Sequence, residues 1–222
     1  VLEYCGVNHY EVLVDEGAKV SVGKVLITAQ GNTQKILLAE RTALNFLSHL
    51  SGISTLTNQW VNEIAGTKCQ IRDTRKTTPG LRQLEKFAVR MGGAVNHRLS
   101  LSDAALIKDN HIVAAGSIGA AFTAIKKMFP GKSIEIEVDS IDQLKEAIAL
   151  KPDLVLLDNM SPELCAEAVA VTAGAVKLEA SGGITFNNAK AYANSGVDYL
   201  AIGALTHSAP ALDIGLDFRK GK

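Results

Sequence analysis

The sequence has few cysteines, few aromatic residues and no surplus of charge of either sign. Its three cysteines, Cys5, Cys69 and Cys165, lie far apart and show no C-x-x-C spacing. This pattern favours reduced thiols in a cytosolic protein over a disulfide framework or a cysteine zinc site. Lysine and arginine together number 23, as do aspartate and glutamate. A balanced charge argues against a general attraction to nucleic acid.

No apolar run is long enough to span a bilayer. The first residues lack the basic region and the apolar core of a signal peptide. We therefore expect a cytoplasmic protein with no membrane partner. A chain of 222 residues can bury one large core, or one core and a smaller module. Because the first residue is not Met, we also expect a processed or truncated N-terminus.

Positive charge is concentrated in the segment from Ile71 to Ile112. Seven basic residues lie between positions 72 and 98 against two acids. They are Arg72, Arg75, Lys76, Arg82, Lys86, Arg90 and Arg98. A local surplus on a neutral chain is typical of a receptor for a small, highly charged anion. The four-residue spacing of Arg82, Lys86 and Arg90 predicts a solvent-exposed helix face with no chemical role.

From residue 69 onward, the sequence predicts alternating strands and helices. The strand candidates are Cys69–Asp73, Ala94–His97, Ala104–Lys108, Ile134–Val138, Leu154–Asp158, Val176–Ala180 and Tyr199–Ile202. The helix candidates are Gly80–Arg90, with Thr78 as cap and Pro79 in the first turn, Ile118–Met128, Ile141–Ala149, Pro162–Ala173 and Asn187–Ser195. Such alternation favours a parallel sheet with helices outside. Seven strands predict an incomplete TIM-like α/β barrel; an open doubly wound sheet is the alternative, although no G-x-G-x-x-G follows the first strand.

Before residue 69, the pattern predicts short strands and turns over residues 1–31, followed by two helices. Apolar residues at helical spacing predict the first helix from Thr33 to Leu50, with Thr33 as its N-cap. Arg41 fits the solvated side of this helix. Ser51-Gly52 interrupts the pattern, and a second helix is predicted over Thr55–Ile64.

Function in such a barrel lies where the strands end and the βα-loops begin. The first three strand ends carry Thr74, Arg75, Lys76, His97, Arg98 and Lys108. The next two carry Glu137 and Asp158, and the last two carry Ser181, Gly182, Gly183 and Gly203. Arginine can hold a carboxylate or phosphate through two parallel hydrogen bonds, and carboxylates suit Mg²⁺. Bare backbone N–H groups after the last strands suit a phosphate.

Several strings of this sequence, in this order, resemble quinolinate phosphoribosyltransferase. They are ERTALNFLSHLSGI, RDTRKTTPGLRQLEKFAVRMGGAVNHR, ALIKDNHI, EVD, LLDN, ASGGI and GALTHS, and the resemblance runs from Val12 to Phe218. It implies phosphoribosyl transfer from phosphoribosyl pyrophosphate to quinolinate, with decarboxylation. The products would be nicotinate mononucleotide, carbon dioxide and pyrophosphate in NAD biosynthesis. The resemblance also implies Mg²⁺ as cofactor and an N-terminal α/β sandwich domain ahead of the incomplete barrel.

The resemblance further implies a role for each residue at the strand ends. Quinolinate would be bound by Thr74, Arg75, Lys76, His97, Arg98 and Lys108, and by Arg41 from the partner in a homodimer, or higher oligomer, with shared active sites. Glu137 and Asp158 would hold the ribose hydroxyls and the magnesium-pyrophosphate end of the second substrate. Its 5′-phosphate would lie on Ser181, Gly182, Gly183 and Gly203, with His207 nearby. The implied catalytic residues are Lys76, Lys108, Glu137 and Asp158.

The resemblance also implies the domain limits. Residues 1–48 would be the later part of a truncated N-terminal domain, and residues 49–207 the barrel, with the tail 208–222 packing on the first domain. Two alternatives stay open: an aldolase-type barrel with a Schiff base on Lys108, and a non-catalytic phosphate-binding relative. Within the same chemistry, a nicotinate-specific enzyme would have no second carboxylate to hold.

Overall fold

A small sheet and a large sheet are joined by one long helix. The structure is a computed structural model, and it describes residues 1–219. After a 3-10 helix, Glu3–Cys5, strand β1 (His9–Val12) pairs antiparallel with strand β2 (Ile27–Gln30). The predicted short strands and turns of this region are confirmed.

Helix α1 (Thr33–Glu63) follows this hairpin and is one continuous helix. It begins where the Asn32 side chain accepts two backbone N–H groups of the first turn. Asn32 is therefore the N-cap, and the assignment of Thr33 to that position is wrong by one residue. Because α1 runs through residue 48, no break in secondary structure marks the predicted domain limit, which stays a prediction.

The predicted helix break at Ser51-Gly52 is wrong. Gly52 is buried inside α1, and a Cβ atom built on it would lie 2.0 Å from the Pro210 carbonyl oxygen. The close approach of two backbones requires glycine here, although glycine is a poor helix former. The Leu212 N–H also donates to the Ser48 carbonyl at 3.0 Å, so the tail lies along α1. Residues 220–222 of the predicted tail lie outside the described residues.

The large sheet contains six parallel strands in the order β3-β8-β7-β6-β5-β4. They are β3 (Gln70–Arg72), β4 (Ala104–Ile107), β5 (Ser133–Val138), β6 (Leu154–Asp158), β7 (Lys177–Ser181) and β8 (Tyr199–Ala201). The first strand pairs with the last, so the sheet curves into a barrel and the doubly wound alternative is excluded. In the described chain, one isolated bridge between Arg72 and Val95 stands where the strand Ala94–His97 was predicted. The incomplete TIM-like barrel is confirmed, and that strand is wrong.

Helices connect the strands and cover the outer face of the barrel. They are α2 (Arg82–Met91), α3 (Asp109–Ala115), α4 (Ile118–Met128), α5 (Ile141–Ala149), α6 (Pro162–Thr172), α7 (Ala189–Asn194) and α8 (Ala204–His207). The sequence did not predict α3 or α8. Helix α2 starts later than predicted, because Thr78 and Pro79 lie in a turn closed by the Leu81 N–H and the Thr78 carbonyl.

The hydrophobic core lies between the strands and the outer helices. Strand β6 is buried at four successive residues, as expected when helices cover one face and the barrel interior the other. Ser117, Ser140 and Ser161 each accept an N–H of a first turn, which fixes where α4, α5 and α6 begin. Among the described helices, we find none with the length and apolar character needed to cross a bilayer.

Candidate active site

The carboxyl ends of the strands bring the predicted residues to one end of the barrel. Following the sheet order, the loop with Arg75 and Lys76 after β3 neighbours Gly203 after β8. Ser181 then lies beside Asp158 in the register of β7 and β6. Glu137 of β5 and Lys108 after β4 complete the series. The mouth of the barrel is therefore cationic on both sides of the seam between β3 and β4, and glycine-rich and acidic opposite it.

Two guanidinium groups at this seam have free hydrogen-bonding capacity. The Nε atoms of Arg75 and Arg98 are both buried, and neither has a hydrogen-bond partner within residues 1–219. One arm of Arg98 is anchored, since its Nη1 donates to the Ala104 carbonyl at 2.8 Å. Burial lowers the pKa of Arg98, and the positive charge of Arg75 lowers it further. Buried donors without partners at a functional site indicate that a ligand supplies the acceptors.

A cleft of about 440 Å³ opens beside these residues. Its lining consists of His49, Arg75, Lys76, Thr77, Thr78, Thr206, His207 and Ala209. The Thr206 hydroxyl donates to the Lys76 carbonyl at 2.8 Å, which joins α8 to the loop after β3. His49 was not predicted as part of the site; it comes from α1 and contacts the buried Glu85 carboxylate at 2.9 Å. The cleft thus brings together Arg75 and Lys76, predicted to bind quinolinate, and His207, predicted to lie near the 5′-phosphate of the second substrate.

The acidic side of the mouth carries an ion pair and a partly exposed carboxylate. Lys108 Nζ lies 2.8 Å from Glu137 Oε2, with about half of the lysine side chain exposed. Asp158 accepts a hydrogen bond from the Asn159 side chain at 2.8 Å. Glu137 is opposite Leu156 in the register of β5 and β6, and Asp158 lies two residues further along β6, so both carboxylates are on the same face of the sheet.

The glycine-rich side is held by backbone contacts. The Asn159 N–H donates to the Ser181 carbonyl at 2.8 Å, which ties the loop after β6 to the end of β7. Gly182 has a φ of +85°, and a Cβ atom there would lie 2.1 Å from Asn159 Oδ1. Glycine is therefore required by both conformation and space. This tight turn leaves bare backbone at the position where a phosphate is expected.

His97 lies inside the barrel, below the mouth. The Arg98 N–H donates to His97 Nδ1 at 2.7 Å, so the proton of the ring lies on Nε2. Nε2 is 2.9 Å from Glu135 and 3.5 Å from Glu179. Both ring nitrogens are thus engaged within the chain, and the predicted role of His97 as a substrate ligand stays a prediction.

Glu179 is the most strongly perturbed acid of this interior group. Burial, followed by the negative charge of Glu135, raises the pKa of Glu179 to about 7, and the nearby His97 and Arg72 act in the opposite direction. Arg72 pairs with Glu179 Oε2 at 2.5 Å and stacks over the Tyr199 ring at 4.5 Å. No local sequence motif marks this group, because its members are spread over more than 100 residues.

Two sets of residues offer ligands for a metal ion. His97, Glu135 and Glu179 bring three ligand atoms within 4.8 Å of one another. This set is buried, and the Arg72 guanidinium already pairs with the Glu179 carboxylate. Mg²⁺ prefers oxygen ligands with room for water and phosphate, which the partly exposed Glu137 and Asp158 provide. The second set therefore fits Mg²⁺ better than the first.

A buried ion pair supports the cationic side of the mouth. Lys86 is 1% exposed and its Nζ lies 2.5 Å from Oδ1 of Asp73, which is 0% exposed. Burial lowers the pKa of Lys86, although the bond to Asp73 opposes this. The prediction that Lys86 lies on a solvent-exposed face is wrong. Arg82 is half-buried and donates to the Thr77 hydroxyl at 2.9 Å, so of the three basic residues Arg90 alone is exposed as predicted.

Arg41 lies apart from the cleft. It is exposed on α1 and is not among the residues that line the cleft. Thr74 lies in the loop after β3, where its hydroxyl accepts the Lys76 N–H at 3.1 Å. In one chain, the predicted site residues therefore lie at the mouth of the barrel, with two exceptions. His97 lies below the mouth, and Arg41 lies away from it.

Known proteins resemble this chain in both sequence and fold. The family described as quinolinate phosphoribosyl transferase, C-terminal domain, matches residues 53–217, and its N-terminal domain matches residues 1–51. The nicotinate-nucleotide pyrophosphorylase [carboxylating] of Mycobacterium leprae is 51% identical over 97% of this chain and 78% of its own length. The crystal structure of nicotinate-nucleotide pyrophosphorylase from Ehrlichia chaffeensis superposes with a TM-score of 0.91 at 42% identity, covering 94% of this chain and 76% of that one. The Francisella tularensis enzyme gives a TM-score of 0.91 at 43% identity, covering 96% and 78%.

Proposed function

The chain belongs to the quinolinate phosphoribosyltransferase family, and we infer that it transfers phosphoribosyl from phosphoribosyl pyrophosphate to quinolinate. The reaction releases carbon dioxide and pyrophosphate and gives nicotinate mononucleotide for NAD biosynthesis. The observation that carries the inference is the pair of buried guanidinium Nε atoms, on Arg75 and Arg98, that lack partners in the described chain. Quinolinate carries two adjacent carboxylates, which are suitable acceptors for two guanidinium groups.

The residues of the chain act mainly by holding and neutralising charge. The pyridine nitrogen forms a bond to ribose C1 as the bond from C1 to the pyrophosphate oxygen breaks. We propose that Arg75 and Arg98 orient quinolinate for this attack, and that Lys76 and Lys108 stabilise the charge that develops on the departing pyrophosphate. The 2-carboxylate then leaves as carbon dioxide, its electron pair stays on the ring carbon beside the cationic nitrogen, and that carbon takes a proton from water.

The opposite side of the mouth is proposed to hold the phosphoribosyl donor. Glu137 and Asp158 would bind Mg²⁺ and the ribose hydroxyls, since both are carboxylates at neighbouring strand ends. When bound, Mg²⁺ would neutralise charge on pyrophosphate. The backbone at Gly182 and Gly203 would receive the 5′-phosphate, with His207 beside it, because Gly203 lies at the N-terminus of α8.

The Schiff-base alternative is disfavoured by the environment of Lys108. A Schiff base requires a neutral amine, which proteins obtain by desolvation or by neighbouring positive charge. Lys108 is half-exposed and its nearest charged partner is the Glu137 carboxylate, so it has neither of these surroundings. A non-catalytic phosphate-binding role is disfavoured by the presence of the acidic pair, which phosphate binding alone does not need.

Arg41 is proposed to complete the quinolinate site from a partner subunit. It lies on the exposed side of α1, and the nearby Leu37 and Leu38 are 51% and 71% exposed. Exposed apolar side chains beside an arginine are typical of a protein interface. We therefore propose a homodimer in which α1 of each subunit approaches the barrel mouth of the other.

A mixing experiment tests this shared site. We expect Arg41→Ala and Lys108→Ala to be inactive as homodimers. If they exchange subunits freely, half of the dimers are mixed and each mixed dimer has one intact site, so activity should return to about a quarter of the wild-type value. An inactive mixture, with subunit exchange verified by light scattering and mass tags, would refute the contribution of Arg41 in trans.

The cytoplasm is the proposed location. Cys69 and Cys165 are buried free thiols, and burial raises their pKa to about 12 and about 11. Such thiols stay protonated and unreactive, as is usual in proteins of a reducing compartment.

The decisive assay measures release of labelled carbon dioxide from carboxyl-labelled quinolinate. We expect release that depends on both phosphoribosyl pyrophosphate and Mg²⁺, and that stops when a chelator is added. Nicotinate offered in place of quinolinate should give no mononucleotide. Release without the donor, or none with it, would refute the function; equal use of nicotinate would favour the nicotinate-specific enzyme.

A further inference from the structure

At the seam of the barrel, side-chain hydrogen bonds hold the segment from Val95 to Arg98 beside β3. Beside β3, the Val95 N–H donates to the Ile71 carbonyl at 3.0 Å, as in a parallel ladder. If the ladder continued, the His97 N–H would donate to the backbone carbonyl of Asp73. It donates instead to Asp73 Oδ1 at 2.7 Å. The ladder therefore ends at one bridge, and a carboxylate takes the place of the next backbone acceptor.

Lys86 holds the backbone carbonyl of the same residue, His97. Its Nζ donates to the His97 carbonyl at 2.9 Å and to Asp73 at 2.5 Å. The Asn96 side chain donates to Asp73 Oδ2 at 2.5 Å and to the Lys86 carbonyl at 2.9 Å. We call this set, formed by Asp73, Lys86 and Asn96 around the His97 backbone, the seam clamp.

The seam clamp connects the end of β3 to the segment after the bridge at Val95. Arg75 follows Asp73 by two residues, and Arg98 follows His97 directly. A buried ion pair contributes little net stability compared with apolar residues of similar volume, because desolvation of both charges offsets their attraction. Its presence between two ligand-binding arginines is better explained by the geometry that it fixes.

We propose that Asp73 and Lys86 are positioning residues that set the separation of Arg75 and Arg98 to match a dicarboxylate. The proposal rests on the proposed function, since quinolinate is the dicarboxylate concerned. Neither residue contacts substrate in this scheme. They act through the backbone, so their loss should impair binding of a ligand with two carboxylates more than binding of a ligand with one.

The test uses two variants. Lys86→Met removes the positive charge of the ion pair, and the double variant Asp73→Asn with Lys86→Met removes both charges. For both variants we expect the KM for quinolinate to rise about tenfold or more, and the KM for phosphoribosyl pyrophosphate to stay within about twofold. Calorimetry on the whole protein should show that the preference for quinolinate over nicotinate, as a ratio of Kd values, falls about tenfold. Leu144→Ala, a core truncation in α5 on the outer face of the barrel, serves as the control for lost stability.

Other outcomes separate the proposal from the function on which it rests. Wild-type protein without release of carbon dioxide refutes the function. The positioning role is refuted if wild type is active and the variants keep its KM for quinolinate. It is also refuted if the variants lose affinity for both substrates equally, as is expected of Leu144→Ala. If neither Lys86→Met nor the double variant folds, Asn96→Ala removes one donor of the clamp and keeps the ion pair; a rise of about threefold in the quinolinate KM is expected, and no rise overturns the proposal.

Discussion

The two sides of the barrel mouth are built in different ways. On the side of β5 to β8, continuous backbone ladders lead up to the functional residues, and β6 pairs with β7 over five residues from Leu154 to Asp158. On the seam side, one bridge at Val95 and the seam clamp take the place of a ladder. The first side carries the acids and glycines, and the second carries Arg75 and Arg98.

This difference separates two requirements of the proposed reaction. Backbone ladders have the same geometry whatever the side chains, so they suit a site for phosphate and metal. Positions fixed by side-chain bonds depend on particular residues, so substitution can change them. We infer that the seam side determines which acceptor base is bound, and that the ladder side holds the donor.

The largest effect is expected from Arg98→Ala, which removes a proposed quinolinate ligand from the seam side. Loss of a charge-assisted, two-bond contact should lower kcat/KM for quinolinate about 10³-fold, or about 4 kcal/mol. Steady-state kinetics with each substrate varied in turn measures this. The KM for phosphoribosyl pyrophosphate should change little, and normal kinetics for quinolinate would remove Arg98 from the receptor.

The next effect concerns Glu179 of β7, whose carboxylate lies 3.5 Å from the His97 ring below the mouth. Its pKa in the folded protein is about 7, above the ordinary value of 4.5, so the folded state binds its proton more tightly. The stabilisation is complete below pH 4.5 and is lost as the pH rises to about 7. Between pH 5 and pH 8, wild type should lose roughly 2 to 3 kcal/mol of unfolding free energy relative to Glu179→Gln. Urea unfolding at both pH values measures this, with exposed Glu167→Gln as control; equal pH dependence in wild type and Glu179→Gln would contradict the shift.

A smaller effect is expected from Gly182→Ala, on the ladder side. The new methyl group would meet Asn159 Oδ1 at 2.1 Å and occupy a φ of +85°. We expect the KM for phosphoribosyl pyrophosphate to rise about tenfold while the KM for quinolinate stays within about twofold. Gly174→Ala, in the turn between α6 and β7, is the matched control, because its φ is +78° but no described atom lies within 4 Å of the added Cβ. A selective loss of quinolinate binding in Gly182→Ala would contradict the division between the two sides.

The smallest effect is expected from Arg90→Ala, on the exposed face of the helix that carries Lys86. Arg90 donates to Asn96 Oδ1 at 3.1 Å from an exposed position. Exposed contacts of this kind contribute about 0.5 kcal/mol or less, so both KM values should stay within about twofold. Kinetics beside Lys86→Met checks this, and comparable losses in the two variants would mean that the clamp extends to the surface.

The sequence predicted the barrel and the composition of the mouth, because strand ends of a parallel sheet meet at one edge. It placed Lys86 on the surface, since a basic residue at helical spacing carries no sign of which face is buried. The buried position depends on Asp73 and the His97 carbonyl, and these are brought to Lys86 by tertiary structure. Gly52 was misjudged for a similar reason: its partner, Pro210, lies near the other end of the chain.

The uninterrupted course of α1 has a mechanical consequence. Arg41 and His49 lie on one helix, about 12 Å apart along its axis. The same helix carries Ser48 and Gly52, on which the tail rests. A displacement that moves Arg41 must therefore move His49 at the edge of the cleft in its own subunit. In the proposed dimer, α1 would run from the cleft of its own subunit to the cleft of the partner, so one rigid helix would connect the two sites.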